Sequence, residues 1–411
     1  MRTSSTPSLV CFVLAGLILT SSPILQAQEK LITPFMTLDW TFSTENLTGE
    51  FAVERILDLG IGPQGELVIY DDHEIEVLSE EGYPLHILRD PTAGTIPSRI
   101  FHQIGPSGYL TIVGHGRPVL GYLISPEFIC TRTFEYPYPA PWTDLLAEHD
   151  LNMRDYPLSN ITLSEDIRVF TVDGIKSRPR RQRNSPTERW QALLLQNRDT
   201  YHLIGAYREV GNISTGPSTG LTVPHFGRLL YQALPDGRIV FTHGGHDRTL
   251  SDEGAAYTLR VYSVENGTET TITQAYEPVP IDVEELIRNM LSIRGGEFDP
   301  EDPENRTHYN AFYDAVENAP YLAPVCELQT DGSLIFALTN NRLEDGGHLV
   351  HVFNAETGCL QCSSVLPWPQ DREWRFCRIS NGYGYAISSW NRVDGPPVIE
   401  RYRINPAIYG R

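Results

Sequence analysis

The chain has 411 residues, 40% of them hydrophobic and 10% aromatic, which excludes an intrinsically disordered protein and leaves room for a large packed core. Asp and Glu number 52 against 32 Lys and Arg, a formal charge of −20. A surface of that sign repels phosphate backbones, so no nucleic acid is expected as a partner.

The N-terminal residues differ in character from the rest of the chain. Arg2 supplies a short positive start, Leu9 to Leu19 is an apolar run, and Leu25-Gln26-Ala27 offers a small residue for cleavage. Ser21-Ser22-Pro23 interrupts the run well before the roughly 20 residues needed to cross a bilayer. Residues 1–27 therefore read as a signal peptide and 28–411 as one secreted or periplasmic domain, without a transmembrane segment and expected as a monomer. Five cysteines remain after cleavage, and export makes disulfides available to them.

From Leu38 to Phe42 runs a short alternating strand with no hairpin partner beside it. A four-stranded unit comes next, at Ile56-Leu59, Glu66-Tyr70, Glu74-Leu78 and Pro84-Leu88, its first hairpin closed by Gly62-Pro63-Gln64-Gly65. Proline presets φ for such a turn and glycine takes the positive φ that closes it. A second unit, from Arg99 to Phe134, repeats the pattern at Ile104-Gly105-Pro106-Ser107-Gly108, and a proline-rich linker succeeds it at Tyr136-Pro141. The third unit, from Ser159 to Gly205, replaces the turn with Ser164-Glu165-Asp166. The fourth, from Arg228 to Ile272, carries Pro235-Asp236-Gly237 and the hairpin signal Asn266-Gly267.

Between about 278 and 321 the pattern changes. Val283, Leu286, Ile287 and Met290 recur at helical spacing behind acids in the first turn, and a helical insertion is expected there. The fifth unit, from Pro324 to Ser364, uses Thr330-Asp331-Gly332. The sixth starts at Trp374, turns at Ser380-Asn381-Gly382, ends with Val398-Ile404 and lacks a fourth strand.

Four-stranded units recurring at roughly 40 to 50 residues imply an all-β, six-bladed β-propeller of antiparallel blades, with the helical insertion between blades four and five. The orphan strand at Leu38-Phe42 then completes the last blade and closes the ring. On Gly62-Pro63-Gln64-Gly65-Glu66-Leu67-Val68-Ile69, Pro235-Asp236-Gly237-Arg238-Ile239-Val240 and Thr330-Asp331-Gly332-Ser333-Leu334-Ile335, the chain resembles the exported six-bladed propellers of the NHL-type and TolB-like classes. That resemblance implies the fold over essentially the whole mature chain. It leaves activity open, because propellers of this kind serve as binding platforms, hydrolases, lactonases and lyases.

Candidate chemistry is sparse. Residues just past the second strand of each unit include Asp72, His115, His243 and His246, donors that suit a divalent metal such as zinc or calcium, against the alternative that polar residues simply populate solvated loops. Cys326, Cys359, Cys362 and Cys377, all in the last two units, are candidates for one or two disulfides, with buried thiols as the alternative. Arg178, Arg180, Arg181 and Arg183 form a basic run that offers a docking point to an acidic partner or a cutting site to a protease. No Walker loop is present. Two functions are compatible with this pattern. The first is a non-catalytic propeller binding a protein or small ligand on its loop face. The second is a metal-dependent hydrolase or lyase at the central channel.

Overall fold

The computed structural model describes residues 30–411 apart from 54, 72–73, 89–100, 115–118, 154–156, 177–188, 210–211, 215–219, 223–226, 285–305, 307–309, 311–312, 315, 318, 344–345, 368, 370–373 and 389–394. It is an all-β, six-bladed propeller, mostly of four-stranded antiparallel blades. In blade 1 the strands Asp58–Ile61, Leu67–Tyr70, Ile75–Leu78 and Pro84–Leu88 pair in chain order. The Pro/Gly turns close as their chemistry requires, with Gly65, Gly108 and Gly237 at φ of 93°, 80° and 83°.

Every residue of Leu67–Tyr70 and of Ile75–Leu78 is buried, because a blade is covered on both faces. Alternation then assigns each side chain to a seam. Leu67 and Ile69 pack with Tyr385 and Ile387 of blade 6, while Val68 and Tyr70 pack with Leu110 and Tyr122 of blade 2. The remaining clusters fill the other four seams, as Phe170 with Val113, Phe241 with Ile161, Phe353 with Val240, and Phe376 with Phe336 show. The core is thus a closed circuit of wedges.

Blade 6 consists of Trp374–Ser380, Tyr383–Ser388, Val398–Ile404 and, as the expected closing strand, Met36–Ser43, which pairs antiparallel with Val398–Ile404. The segment ahead of it reaches further. Leu31–Ile32 adds in parallel to Cys359–Leu366 of blade 5, so the N-terminal stretch straps the last two blades together.

Blade 2 departs from the expected pattern. Leu110–Val113, Val119–Ile124 and Cys130–Tyr136 form its sheet, but the inner strand Phe101–Gln103 pairs in parallel with Ser159–Thr162, the inner strand of blade 3. Gly105 permits this. A Cβ there would lie 1.7 Å from the Thr162 carbonyl oxygen, so only a glycine lets the two backbones meet.

Blade 3 continues with Ile167–Lys176, Arg189–Asn197 and Thr200–Arg208. The proline-rich run read as a linker leads into a helix, Thr143–Ala147. Just before it the fully buried Trp142 packs on Phe170 and Tyr201, with ring centroids 5.1 and 5.6 Å away. Blade 4 pairs Leu229–Ala233, Ile239–His243, Gly254–Tyr262 and Glu269–Tyr276, with Arg248–Ser251 as an added strand. Blade 5 pairs Val325–Asp331, Leu334–Arg342, His348–Asn354 and Cys359–Leu366.

The expected helical insertion at about 278–321 is not supported. Much of that segment lies outside the described residues, and among the described residues the α-helix with defined bounds is Thr143–Ala147, at the entry to blade 3. No helix among them is long and apolar enough to cross a membrane. Residues 1–27 lie outside the described set.

Candidate functional site

Antiparallel pairing sends the first strand of each blade toward its first hairpin and brings the second strand back. The hairpins of the inner strands therefore gather at one end of the axis. There they enclose a cavity of about 790 Å³, within the roughly 300–1,000 Å³ range of small-ligand sites. Its wall takes Gly62-Pro63 from blade 1, Gly105-Pro106 from blade 2, Pro235 from blade 4, Asp331-Gly332-Ser333 from blade 5 and Ser380-Asn381-Gly382 from blade 6.

The rim is fixed by Asp331. Its carboxylate accepts hydrogen bonds from the backbone N–H groups of Asn381 (2.9 Å) and Gly382 (2.8 Å), and from the Tyr409 hydroxyl (2.5 Å). One side chain thereby ties the blade 5 turn to the blade 6 turn and to the C-terminal 3-10 turn Pro406–Tyr409. Gln361 donates to the Ile408 carbonyl at 2.6 Å and holds that turn against blade 5. Burial, and then the Asp331 carboxylate, push the Tyr409 hydroxyl far above its usual range, so it stays a donor.

Deeper along the axis the inner strands present charged and amide groups in otherwise apolar runs. Arg378 (blade 6), with a side chain 15% exposed, faces Asp58 (blade 1) across 3.8 Å. That separation is too long for a hydrogen bond. Glu327 (blade 5) accepts from the Gln329 side-chain amide at 2.6 Å, and Gln329 donates also to the Cys377 carbonyl at 3.1 Å. Burial raises the Glu327 carboxyl above the ordinary carboxylate range. Arg228, the Gln329 hydrogen bond and Arg378 oppose the rise, and Asp58 adds to it. Gln103 and Gln232 line the same cavity from blades 2 and 4, each three residues ahead of its turn proline. Below Gln232, the buried Tyr231 hydroxyl bonds the Ser159 hydroxyl at 2.9 Å across the seam to blade 3.

Of the candidate metal ligands read from sequence, the described ones, His243 and His246, fall at the other end. Asp72 and His115 lie outside the described residues, as do Arg178, Arg180, Arg181 and Arg183. His243 and His246 do come together, ring centroids 4.6 Å apart, with Tyr207 stacked on His243 at 5.1 Å. His246 Nε2 hydrogen-bonds the Arg208 carbonyl at 2.7 Å, and His243 Nδ1 accepts from the Gly245 N–H at 3.2 Å. His243 Nε2, fully buried, has no hydrogen-bond partner among the described residues. Burial, and then the neighbouring His246, lower the His243 pKa to about 3, so the ring is neutral at physiological pH. Asp247 holds the turn together, accepting from the His243 N–H at 2.8 Å and pairing with Arg260 at 2.8 Å. Among the described residues no group of three or more His, Cys, Asp or Glu side chains is placed to hold a metal ion.

None of the five described cysteines is joined in a disulfide. Burial pushes Cys326 and Cys377 up to about 12, which leaves both unreactive.

Sequence reasoning missed Asp58, Glu327, Arg378 and the three glutamines because it searched past the second strands. A signal was present in the inner strands. Val-Cys-Glu-Leu-Gln-Thr and Trp-Arg-Phe-Cys-Arg-Ile place charges where a doubly covered strand should be apolar.

No protein-family model and no curated protein matches the chain. Among solved structures, a gluconolactonase from Xanthomonas campestris is similar at 11% identity and a TM-score of 0.39, over 92% of this chain and 94% of that one. The Pan2 WD40 domain of Neurospora crassa is similar at 9% and 0.36, over 85% and 75%. The β-propeller domain of the trilobed protease from Pyrococcus furiosus is similar at 9% and 0.34, over 82% and 79%.

Proposed function

We propose that the protein is an exported propeller that binds a small ligand in the hairpin-end cavity, without itself catalysing a reaction. The carrying observation is the cavity's construction. Five blades contribute turns to it, Asp331 fixes its rim through three hydrogen bonds, and polar side chains converge on it from inner strands that are otherwise apolar. A rigid concave site with a few placed polar groups is how ligand pockets are built.

Ser333 tests this. It is exposed in a two-residue turn and lines the cavity, so Ser333→Trp fills the mouth at no cost to the core. In a fragment screen by ligand-observed NMR, polar fragments should bind the wild type and lose binding in Ser333→Trp. Fragments that bind both proteins equally would place the site elsewhere and overturn the proposal.

A second reading, a metal-dependent hydrolase or lyase, has one observation in its favour: the unpartnered His243 Nε2 beside His246. Elemental analysis separates the two. Stoichiometric zinc or calcium that disappears in His243→Ala would favour the metal site, and metal-free protein that binds fragments in the cavity would favour the first reading.

A further inference from the structure

We infer that the ligand of this cavity is a small hydroxylated carboxylate, seated with its acid group on Arg378 and its hydroxyls on Gln103, Gln232 and Gln329. This rests on the reading of the cavity as the binding site.

The charge of the cavity is opposite in character to that of the whole chain. Acids outnumber bases 52 to 32 overall, yet the charged residues lining the cavity are Asp331, Arg378 and Arg411. The two arginines against one acid leave these lining side chains with a net formal charge of +1, and the Asp331 oxygens are already engaged by two N–H donors and a hydroxyl. Arg411 lies at the rim over the Tyr409 ring, 5.6 Å from its centroid, and Arg378 lies inside.

Arg378 is the informative residue. A guanidinium carries five donors, and a mostly buried one is normally hydrogen-bonded to carboxylate or carbonyl oxygens. Here, among the described residues, its one ionic partner is Asp58, 3.8 Å away and beyond hydrogen-bond reach. The fork is therefore held inside a cavity by inner strands with its donors unspent. A carboxylate accepts two parallel N–H donors from such a fork. Gln103 and Gln232 each offer an amide donor and an acceptor, and Gln329, whose two amide N–H groups are spent on Glu327 and Cys377, offers its oxygen as an acceptor; such a set matches hydroxyl groups and gives no reason to select an apolar ligand.

The test uses calorimetric titration of the full chain with L-tartrate and D-gluconate, against D-sorbitol and tartaric diamide as neutral counterparts. The carboxylates should bind at least about tenfold more tightly than the neutral probes, and Arg378→Gln should remove that advantage. Asp58→Asn should tighten carboxylate binding, since it removes the competing anion and leaves the guanidinium free. A gain of affinity cannot come from a damaged fold, so this variant decides the matter even if Arg378→Gln is unstable. Neutral probes that bind as well as carboxylates, with loss in Ser333→Trp, would overturn this inference and leave the cavity as a binding site. An Asp58→Asn variant that binds tartrate and gluconate no better than the wild type would overturn it, as would failure of every probe to bind at millimolar concentration.

Discussion

The sharpest structural prediction concerns Gly105→Ala. A Cβ at that position would lie 1.7 Å from the Thr162 carbonyl oxygen and 2.6 Å from its carbon, where ordinary contact begins near 3.4 Å. The obstruction is backbone and cannot rotate away, so the strand Phe101–Gln103 must lift off Ser159–Thr162. That uncouples a parallel ladder of three register pairs. At about 0.5–1.5 kcal/mol net per hydrogen bond, losing two or three of them costs about 1–4.5 kcal/mol. Gly60→Ala is the control. It also lies in an inner strand, but its Cβ would meet side-chain atoms of Ile104 and Val68 at an ordinary 3.4 Å, and a cost below about 1 kcal/mol is expected. Urea unfolding of both variants against the wild type measures the difference. If Gly105→Ala unfolds at the wild-type midpoint, the two inner strands do not touch as described and the account of blade 2 is wrong.

Buried groups give two pH predictions. Glu327 is held above the usual carboxylate range beside Asp58, Arg228 and Arg378, so it takes up a proton at a pH where free carboxylates are ionised. A bound anion favours its protonated form, and gluconate affinity should rise as pH falls through that range. Glu327→Gln should bind more tightly and lose the dependence; a wild-type affinity flat from pH 7 to the carboxylate range would refute it. His243, lowered to about 3, contributes stability fully present above its unfolded value of 6.5, which is lost as pH falls toward 3. The groups facing it are His246, Asp247, Arg260 and the Tyr207 ring. The stability difference between wild type and His243→Leu, tracked by urea unfolding, should shift in favour of the variant between pH 6.5 and 3, and parallel curves would refute the assignment.

Much of the fold was legible because propeller blades are local objects. A hairpin is specified by its turn and its two apolar runs, and Gly62-Pro63-Gln64-Gly65 with Leu67–Tyr70 carries both. Ring closure was legible too, since Leu38-Phe42 had no neighbour to pair with and the last unit lacked a strand. The pairing of Phe101–Gln103 with Ser159–Thr162 was not, because it depends on a contact between residues far apart in the chain. The glycine that permits it was read as turn chemistry. Gly108, at φ 80°, does serve the turn, whereas Gly105 serves close approach, and one sequence does not separate those two uses.

The hairpin-end cavity was not read from the sequence for a related reason. Polar residues past the second strands, such as His243 and His246, stand out in sequence because loops display them, yet His243 is fully buried against Tyr207 and its turn is held by Asp247 and Arg260. Polar residues within a doubly covered strand are less conspicuous and more costly, since each charge there loses water. Glu327 and Arg378 bear that cost on neighbouring inner strands, with Asp58 opposite, and none of the three is needed to close a hairpin. Stability alone would favour apolar residues at such positions. The tight Pro/Gly turns leave the axis open above these charges, so the repeat that builds the ring also builds the entrance to them.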